Sequence, residues 1–461
     1  MRSTPAGCRG RFVQRVGRKK RSVIAKLLRR LGLDRSELRA WAMYDWASSA
    51  FTTTIVAAVF PIYFQRVAGA DLDPAGATTR FALATTFGLI LIAVASPLLG
   101  TLADYAALKK KMLGAFAALG VVATACMYFI QRGDWLLAAV LFVLGNIGAA
   151  GSYVFYDSLL PHIARDEEMD RVSAAGYALG YLGGGLLLAV NLACIQMPER
   201  FGIPDAGTAT RLSFLSVAIW WLLFSFPLFR RVPEPAARTE AGPPRAGHWA
   251  AIAFDRLRET LRHLRGYKQA FLMMIAFMIY NDGIQTIIRM ATIYGAEIGI
   301  SQGALILALL ITQFVGIPFA FLFGALAGKI GAKRAIFLAL SVYAGITVLG
   351  YFMTTAFHFM LLAILVGTVQ GGAQALSRSL FASMIPRHKS AEFFGFFGIF
   401  EKFAGIAGPA VFAFSIWATG STRNAILLIV LFFVAGGILL SFVKVEEGQR
   451  AARAAEERGG V

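Results

Sequence analysis

The stretch Tyr280-Asn281-Asp282-Gly283-Ile284-Gln285-Thr286-Ile287-Ile288-Arg289 sets the strongly polar Asn281, Asp282, Gln285 and Arg289 in a largely apolar run. At helical period Asn281, Gln285 and Arg289 recur every fourth residue and Asp282 precedes Gln285 by three, so all four share one face. Counted from Lys268, Asp282 falls about 20 Å along such a helix at ~1.5 Å per residue. An ionised acid at that depth of a bilayer is costly unless paired or wet. The expectation is a cavity face on which Asp282 takes an amine or a proton and Arg289 a carboxylate. A buried Asp–Arg pair tying two helices together is the plainer alternative. A second ladder, Gln370, Gln374 and Arg378, repeats the spacing of four with Ser377 beside it. Glu401 and Lys402 are adjacent and point about 100° apart on a helix, so one faces the cavity while the other pairs with a neighbouring helix. The candidate solute or proton contacts are therefore Asn281, Asp282, Gln285, Arg289, Gln374, Arg378 and Glu401. Asp45 and Asp157 sit near segment ends and read as capping or interfacial.

A second pattern concerns movement. Gly100-Thr101-Leu102-Ala103-Asp104 is followed by Lys109-Lys110-Lys111, and Gly324-Ala325-Leu326-Ala327-Gly328 by Lys333-Arg334. The offset from Gly100 to Gly324 is about half the chain, which implies a duplicated unit. Asp104 closes an apolar run, where the negative end of the helix dipole disfavours a carboxylate. It needs Lys109 or the N-terminus of another helix as compensation. A contact of that kind can break and re-form, which suits a latch. Asp104, Lys109, Lys110, Lys333 and Arg334 are the candidate gating residues, and with Gly328 in place of an acid the latch belongs to the first copy.

These groups need a membrane scaffold. The chain has 461 residues, 57% hydrophobic and 15% charged, with mean hydropathy +0.64. A soluble chain of this length would carry about a quarter charged residues. Runs long enough to cross about 30 Å of hydrocarbon fall at 46–66, 82–104, 112–131, 135–158, 173–195 and 211–229. They resume at 270–294, 303–327, 335–355, 358–384, 392–416 and 424–443. Unpaired strand edges cannot face lipid, so these are helices. The expected fold is an all-α membrane protein of twelve transmembrane helices in two six-helix halves. The halves span 41–229 and 269–445, flanked by a basic tail 1–40, a linker 230–268 and a tail 446–461. Within the linker, Trp249, Ile252, Leu257, Leu261 and Leu264 recur at helical spacing with arginines between, as in a surface amphipathic helix.

With the N-terminus placed in the cytoplasm, 36 of the 45 Lys and Arg fall on cytoplasmic loops and tails, six outside and three within helices. Such asymmetry puts both termini inside. The net charge of +19 is accordingly a topology signal with some attraction to anionic headgroups, and nucleic acid is not an expected partner. Cys8, Cys126 and Cys194 have no metal-ligand spacing. No Gly-x4-Gly-Lys-Ser/Thr loop or hydrolase motif occurs, so neither an ATP-driven pump nor an enzyme is expected, and no metal or cofactor. Gly176, Gly180 and Gly184 repeat every four residues and allow close helix approach. Pro61, Pro97, Pro318 and Pro409 are candidate kinks.

The loop after Gly100 resembles the loop signature of the major facilitator superfamily, with Tyr105 where Arg is usual. Further strings resemble its vacuole-effluxer-like branch, related to the yeast autophagy amino-acid exporter. They are Tyr44-Asp45-Trp46-Ala47, Tyr156-Asp157-Ser158-Leu159-Leu160-Pro161, Tyr280-Asn281-Asp282-Gly283, Gly371-Gly372-Ala373-Gln374, Ser377-Arg378-Ser379 and Gly408-Pro409. The resemblance implies alternating access around a cavity lined by helices 1, 4, 7 and 10. It implies a small organic solute, amino acids moved outward being one reading. A coupling proton and a monomer are further expectations, and the cationic loops and compact termini point to a bacterial inner membrane. A lipid or drug exporter of the same fold, or a non-transporting membrane sensor or assembly protein, are the alternatives.

Overall fold

The computed structural model describes residues 25–236, 264–404 and 407–458. The basic run Gly17–Arg21 and the amphipathic stretch of the linker lie outside them. The described residues are helical, and ten helices are long and apolar enough to cross a membrane, eleven if the bent first pair counts as one span. We number them in chain order: α1 Ser36–Ala50, α2 Pro74–Ala106, α3 Lys109–Cys126, α4 Trp135–Ile163, α5 Met169–Gln196, α6 Ala206–Arg231, α7 Lys268–Glu297, α8 Gln302–Ile330, α9 Ala332–Tyr351 and α10 Ala356–Ala382. They are followed by α11 Ser390–Phe403, α12 Ala407–Thr419, α13 Thr422–Leu428, α14 Val430–Ser441 and α15 Val445–Arg458.

Three elements differ from the expected pattern. The first span begins ten residues early, within the stretch assigned to the basic tail. Glu37 in its first turn complements the dipole, and Trp41 and Tyr44 are wholly buried against the bundle. Beyond Ala50 it continues as a π-helical segment to Ala58 and bends by 41° before Phe60–Tyr63, where Pro61 stands. The eleventh span is two short helices rather than one kinked helix, because the chain leaves helical geometry at Ala404, just before Gly408-Pro409. Pro lacks an N–H to continue a ladder and fits best in a first turn, which is where Pro409 stands in α12. The tail 446–461 contains a polar helix, α15. It docks through Glu447–Gln269 (2.9 Å) and the Arg387 amide on Glu456 (2.8 Å), and reaches the first half through Arg453–Asp166 (3.3 Å).

The two copies of the loop share one backbone feature, a positive φ at the residue that ends the helix. Ala107 closes α2 at φ 49°, and Gly331, at the same offset, separates α8 from α9 at φ 86°. A positive φ suits glycine and strains alanine, and only the second copy places glycine there; beyond φ the turns differ, with Ala107 left-handed at ψ 53° and Gly331 at ψ 147°. Lys110 donates to the Phe229 and Val232 carbonyls at the end of α6, and Lys333 to those of Ser441 and Val443 at the end of α14. Each lysine neutralises the carbonyl end of the sixth span of its own half.

Between the halves, α2 crosses α11 and α5 runs beside α8 and α10. Gly100 and Gly395 make the first crossing possible. A Cβ on Gly100 would stand 2.7 Å from the Ala391 carbonyl carbon, and one on Gly395 would stand 2.7 Å from the Ser96 carbonyl oxygen. Gly324 does the same for α8 on α5, with Ala174 Cβ 2.6 Å from the added atom.

Candidate functional site

A cavity of about 500 Å³ lies between the halves, within the size range of small-molecule sites. Helices α1, α4, α7 and α10 contribute to its walls as expected, and α2, α5, α8, α9 and α11 contribute as well. Its upper wall is apolar, with Leu305, Leu309, Met353, Phe359 and Leu362. Its charged lining is Asp45, Asp157 and Glu401 against Arg289, Arg378 and Lys402, three acids and three bases. Such a lining is neutral overall yet charged in detail.

The floor centres on Arg378. Its Nη1 donates to Asp157 at 2.9 Å and to Asp45 at 3.4 Å, its Nε to the Ser173 hydroxyl at 2.9 Å, and its Nη2 to the Ser173 carbonyl at 2.9 Å. The rings of Trp41 and Tyr177 lie 4.9 and 4.6 Å from the guanidinium carbon, cation–π contacts that strengthen away from water. The Tyr156 hydroxyl donates to Asp45 at 2.8 Å. At 3% side-chain exposure, Arg378 depends on these partners for its charge.

Sequence reasoning placed Asp45 and Asp157 at the interface and missed them as floor residues. Their shared Tyr-Asp dipeptides, Tyr44-Asp45 and Tyr156-Asp157, were the available signal. The glycine ladder of α5 is explained at the same place. A Cβ on Gly176 would meet the Asp45 carboxylate at 2.6 Å, one on Gly180 the Ser49 hydroxyl at 2.6 Å, and one on Gly184 the Thr53 methyl at 2.9 Å. The ladder on α5 thus matches a ladder of polar residues four apart on α1 and its π-helical continuation. Gly176→Ala should push a methyl between Asp45 and Arg378. We expect a stability loss of about 1–3 kcal/mol with transport reduced, read by thermal denaturation and by flux in liposomes.

Other candidates fall in different places. Gln285, Arg289, Gln374 and Glu401 line the cavity. Lys402 does too and contacts Glu401 at 3.3 Å, so the adjacent pair shares the cavity wall, contrary to the expectation that they part. Asp282 is buried behind the wall rather than in it. Both its oxygens accept the Gly408 amide at 3.0 Å, at the start of α12. The broken eleventh span leaves first-turn amides that require an acceptor, and a carboxylate there is favoured by the dipole. Asn281 is also buried, and its amide has no hydrogen-bond partner among the described residues.

One end of the cavity is shut. Asp104 accepts Lys109 Nζ at 2.8 Å and, from the other half, the backbone amides of Glu392 at 2.8 Å and Ala391 at 3.2 Å. Both kinds of compensation an acid at this helix end requires are therefore present, a lysine and a foreign helix N-terminus. Lys109 Nζ also lies 2.8 Å from His162 Nε2 and from the Ser390 hydroxyl, which donates to the Ser158 carbonyl at 2.9 Å. The Asp104 and Lys109 side chains are 7% and 4% exposed. Further out, Arg387 and Arg453 meet Asp166, and Ser379 meets Asp170. These bonds between the halves cluster at the end that carries α15 and the α2–α3 loop. Of the other gating candidates, Lys110 and Lys333 cap the sixth spans of their halves, and Arg334 is exposed.

Residues 76–453 match the family model described as vacuole effluxer Atg22 like. The MFS-type transporter YxiO of Bacillus subtilis (strain 168) is 36% identical, over 88% of this chain and 94% of its own. Autophagy-related protein 22 of Kluyveromyces lactis is 23% identical, over 90% of this chain and 95% of its own. Among solved structures, the proton:xylose symporter XylE superposes with TM-score 0.68 at 15% identity, covering 90% of this chain and 98% of its own. The human organic anion transporter MFSD10 (TETRAN) superposes with TM-score 0.67 at 15% identity, covering 88% and 99%. These two share the fold.

Proposed function

The chain belongs to the vacuole effluxer Atg22-like family of major facilitator membrane transporters, and from that premise we propose that it carries a small zwitterionic solute of amino-acid type by alternating access. It is an integral multi-pass membrane protein and a transporter rather than an enzyme, as its relatives and structural neighbours are. The observation that carries the cargo proposal is the cavity's three-to-three charge balance. A net anion or cation would leave that lining unbalanced, whereas a zwitterion pairs with both signs at no net cost. The apolar upper wall suits an uncharged side chain on that solute. It is also the feature favouring the second reading, export of an amphiphile or drug.

Gating rests on the junction of Asp104, Lys109 and the start of α11. Its bonds link the halves, so they break when that end opens. On this reading the Lys/Arg bias supports a cytoplasmic location for the shut end and both termini, and the membrane is a bacterial inner membrane. The conformation described is then shut on the cytoplasmic side. A coupling proton is part of the proposal, supported by XylE being a proton symporter, and the carrier works as a monomer moving its cargo outward.

Counterflow in liposomes tests this. Preloaded neutral amino acids should accelerate uptake of labelled leucine at least about tenfold over protein-free vesicles, a difference of ~1.4 kcal/mol or more in barrier. Acceleration by lipids or apolar cations with none by amino acids would overturn the cargo class and select the second reading.

A further inference from the structure

Arg378 extends from α10 in the second half, and its partners belong to the first: the carboxylates of Asp45 on α1 and Asp157 on α4, and the hydroxyl and carbonyl of Ser173 on α5. The halves cannot part at this level without stranding a buried guanidinium. The two acids are held differently. Asp45 also accepts the Tyr156 hydroxyl and is packed beneath Gly176. Asp157 is held through Arg378 and retains 16% side-chain exposure on the cavity wall. The same cavity is lined by Tyr181 and Gln313, whose Oη and Oε1 are buried with no hydrogen-bond partner among the described residues. Polar atoms left unmatched by the protein beside a charged floor mark where a polar solute completes the set.

Resting on the zwitterionic reading, we infer that the cargo binds by inserting into the Arg378–Asp157 pair. Its carboxylate takes the guanidinium and its ammonium takes Asp157, while Asp45 and Tyr156 keep their bond. The Arg378–Asp157 pair between the halves becomes two pairs, each with one partner on the cargo, and the longer Arg378–Asp45 contact is given up as the halves part, with Tyr156 still bonded to Asp45. Arg378 then stays neutralised as the halves separate, so the loaded carrier can rock where the empty one is held. Cargo thereby binds the parted state better than the joined one, which is the differential affinity any ligand-driven change requires. Asp157 and Arg378 are on this account specificity-determining residues, and exchange of cargo for cargo outruns net release.

The test uses the full chain in nanodiscs with leucine, N-acetylleucine and leucinamide as probes, and liposomes for the two flux modes. Leucine should bind at least about tenfold more tightly than either masked analogue, as expected for a lost charge-assisted contact. Asp157→Asn should weaken leucine by about 10- to 100-fold. It should also remove the discrimination against N-acetylleucine while keeping that against leucinamide, and Asp157→Glu should restore both. Leucine exchange in the unmodified protein should exceed leucine net efflux at least about tenfold, matching the barrier left on the empty carrier. If Asp157→Asn binds leucine with unchanged affinity and unchanged discrimination, the insertion is wrong while the zwitterionic reading stands. Should that variant fail to fold, equal exchange and net efflux in the unmodified protein would overturn the inference. If the unmodified protein binds none of the three probes, the cargo reading fails and this inference with it.

Discussion

Replacing Arg378 by Ala is expected to lower unfolding stability by about 3–5 kcal/mol, because breaking a buried ion pair from one side leaves the other side uncompensated. Two carboxylates are affected here, Asp45 and Asp157, and Ser173 loses two bonds at once. The effect should be far from additive. Asp45→Asn with Asp157→Asn in the Arg378→Ala background removes the stranded charges and should recover a large part of the loss. Thermal denaturation of the purified protein in detergent measures both. A melting point for Arg378→Ala equal to that of the parent would show that Arg378 does not hold the floor together. Arg378→Lys keeps the charge but loses the fork that reaches Asp157 and Ser173 together, and it should fall between the two.

Gly100→Leu should abolish transport while leaving each half folded. The added Cβ would sit 2.7 Å from the carbonyl carbon of Ala391 and 3.0 Å from Glu392 Cα, both in the opposite half. Relief comes only from separating α2 and α11, which also pulls Asp104 from the amides of Ala391 and Glu392 and Lys109 from Ser390. Overpacking costs about 1–3 kcal/mol, and each lost bond to a charged group about 1.5–3 kcal/mol. A total of about 4 kcal/mol or more shifts the equilibrium away from the shut end about 1,000-fold. Labelling of a cysteine introduced at Ser158, buried in the shut junction, should become fast in this variant. Gly328→Leu is the matched control, since a Cβ there meets nothing within 4 Å. Slow labelling and full transport in Gly100→Leu would dissociate this crossing from gating.

Much of this is legible in the chain itself because the bilayer imposes a simple rule. Apolar runs of spanning length must be helices, so helix positions and the twofold repeat can be counted directly along the chain. The need of Asp104 for a cation or a helix N-terminus follows from dipole electrostatics alone, and the fold places both beside it. The break in the eleventh span is foreshadowed by Gly408-Pro409, though only as a kink.

Which polar residues share a cavity is another matter. Spacing fixes the face of a helix, and a face has no meaning until a neighbour is set against it. On α7, spacing groups Asp282 with Gln285 and Arg289. The fold instead turns Asp282 toward the amide that the broken eleventh span leaves bare, while Gln285 and Arg289 look into the cavity. Asp45, Asp157 and Arg378 are more than a hundred residues apart from one another in sequence, and no local pattern joins them. Their meeting depends on the α5 glycines letting α1 approach and on α10 of one half reaching α1 and α4 of the other. Hydrophobic periodicity, a property of each segment against lipid, was therefore determined by sequence alone. The charge constellation arises from pairing between segments, and tertiary packing decided it.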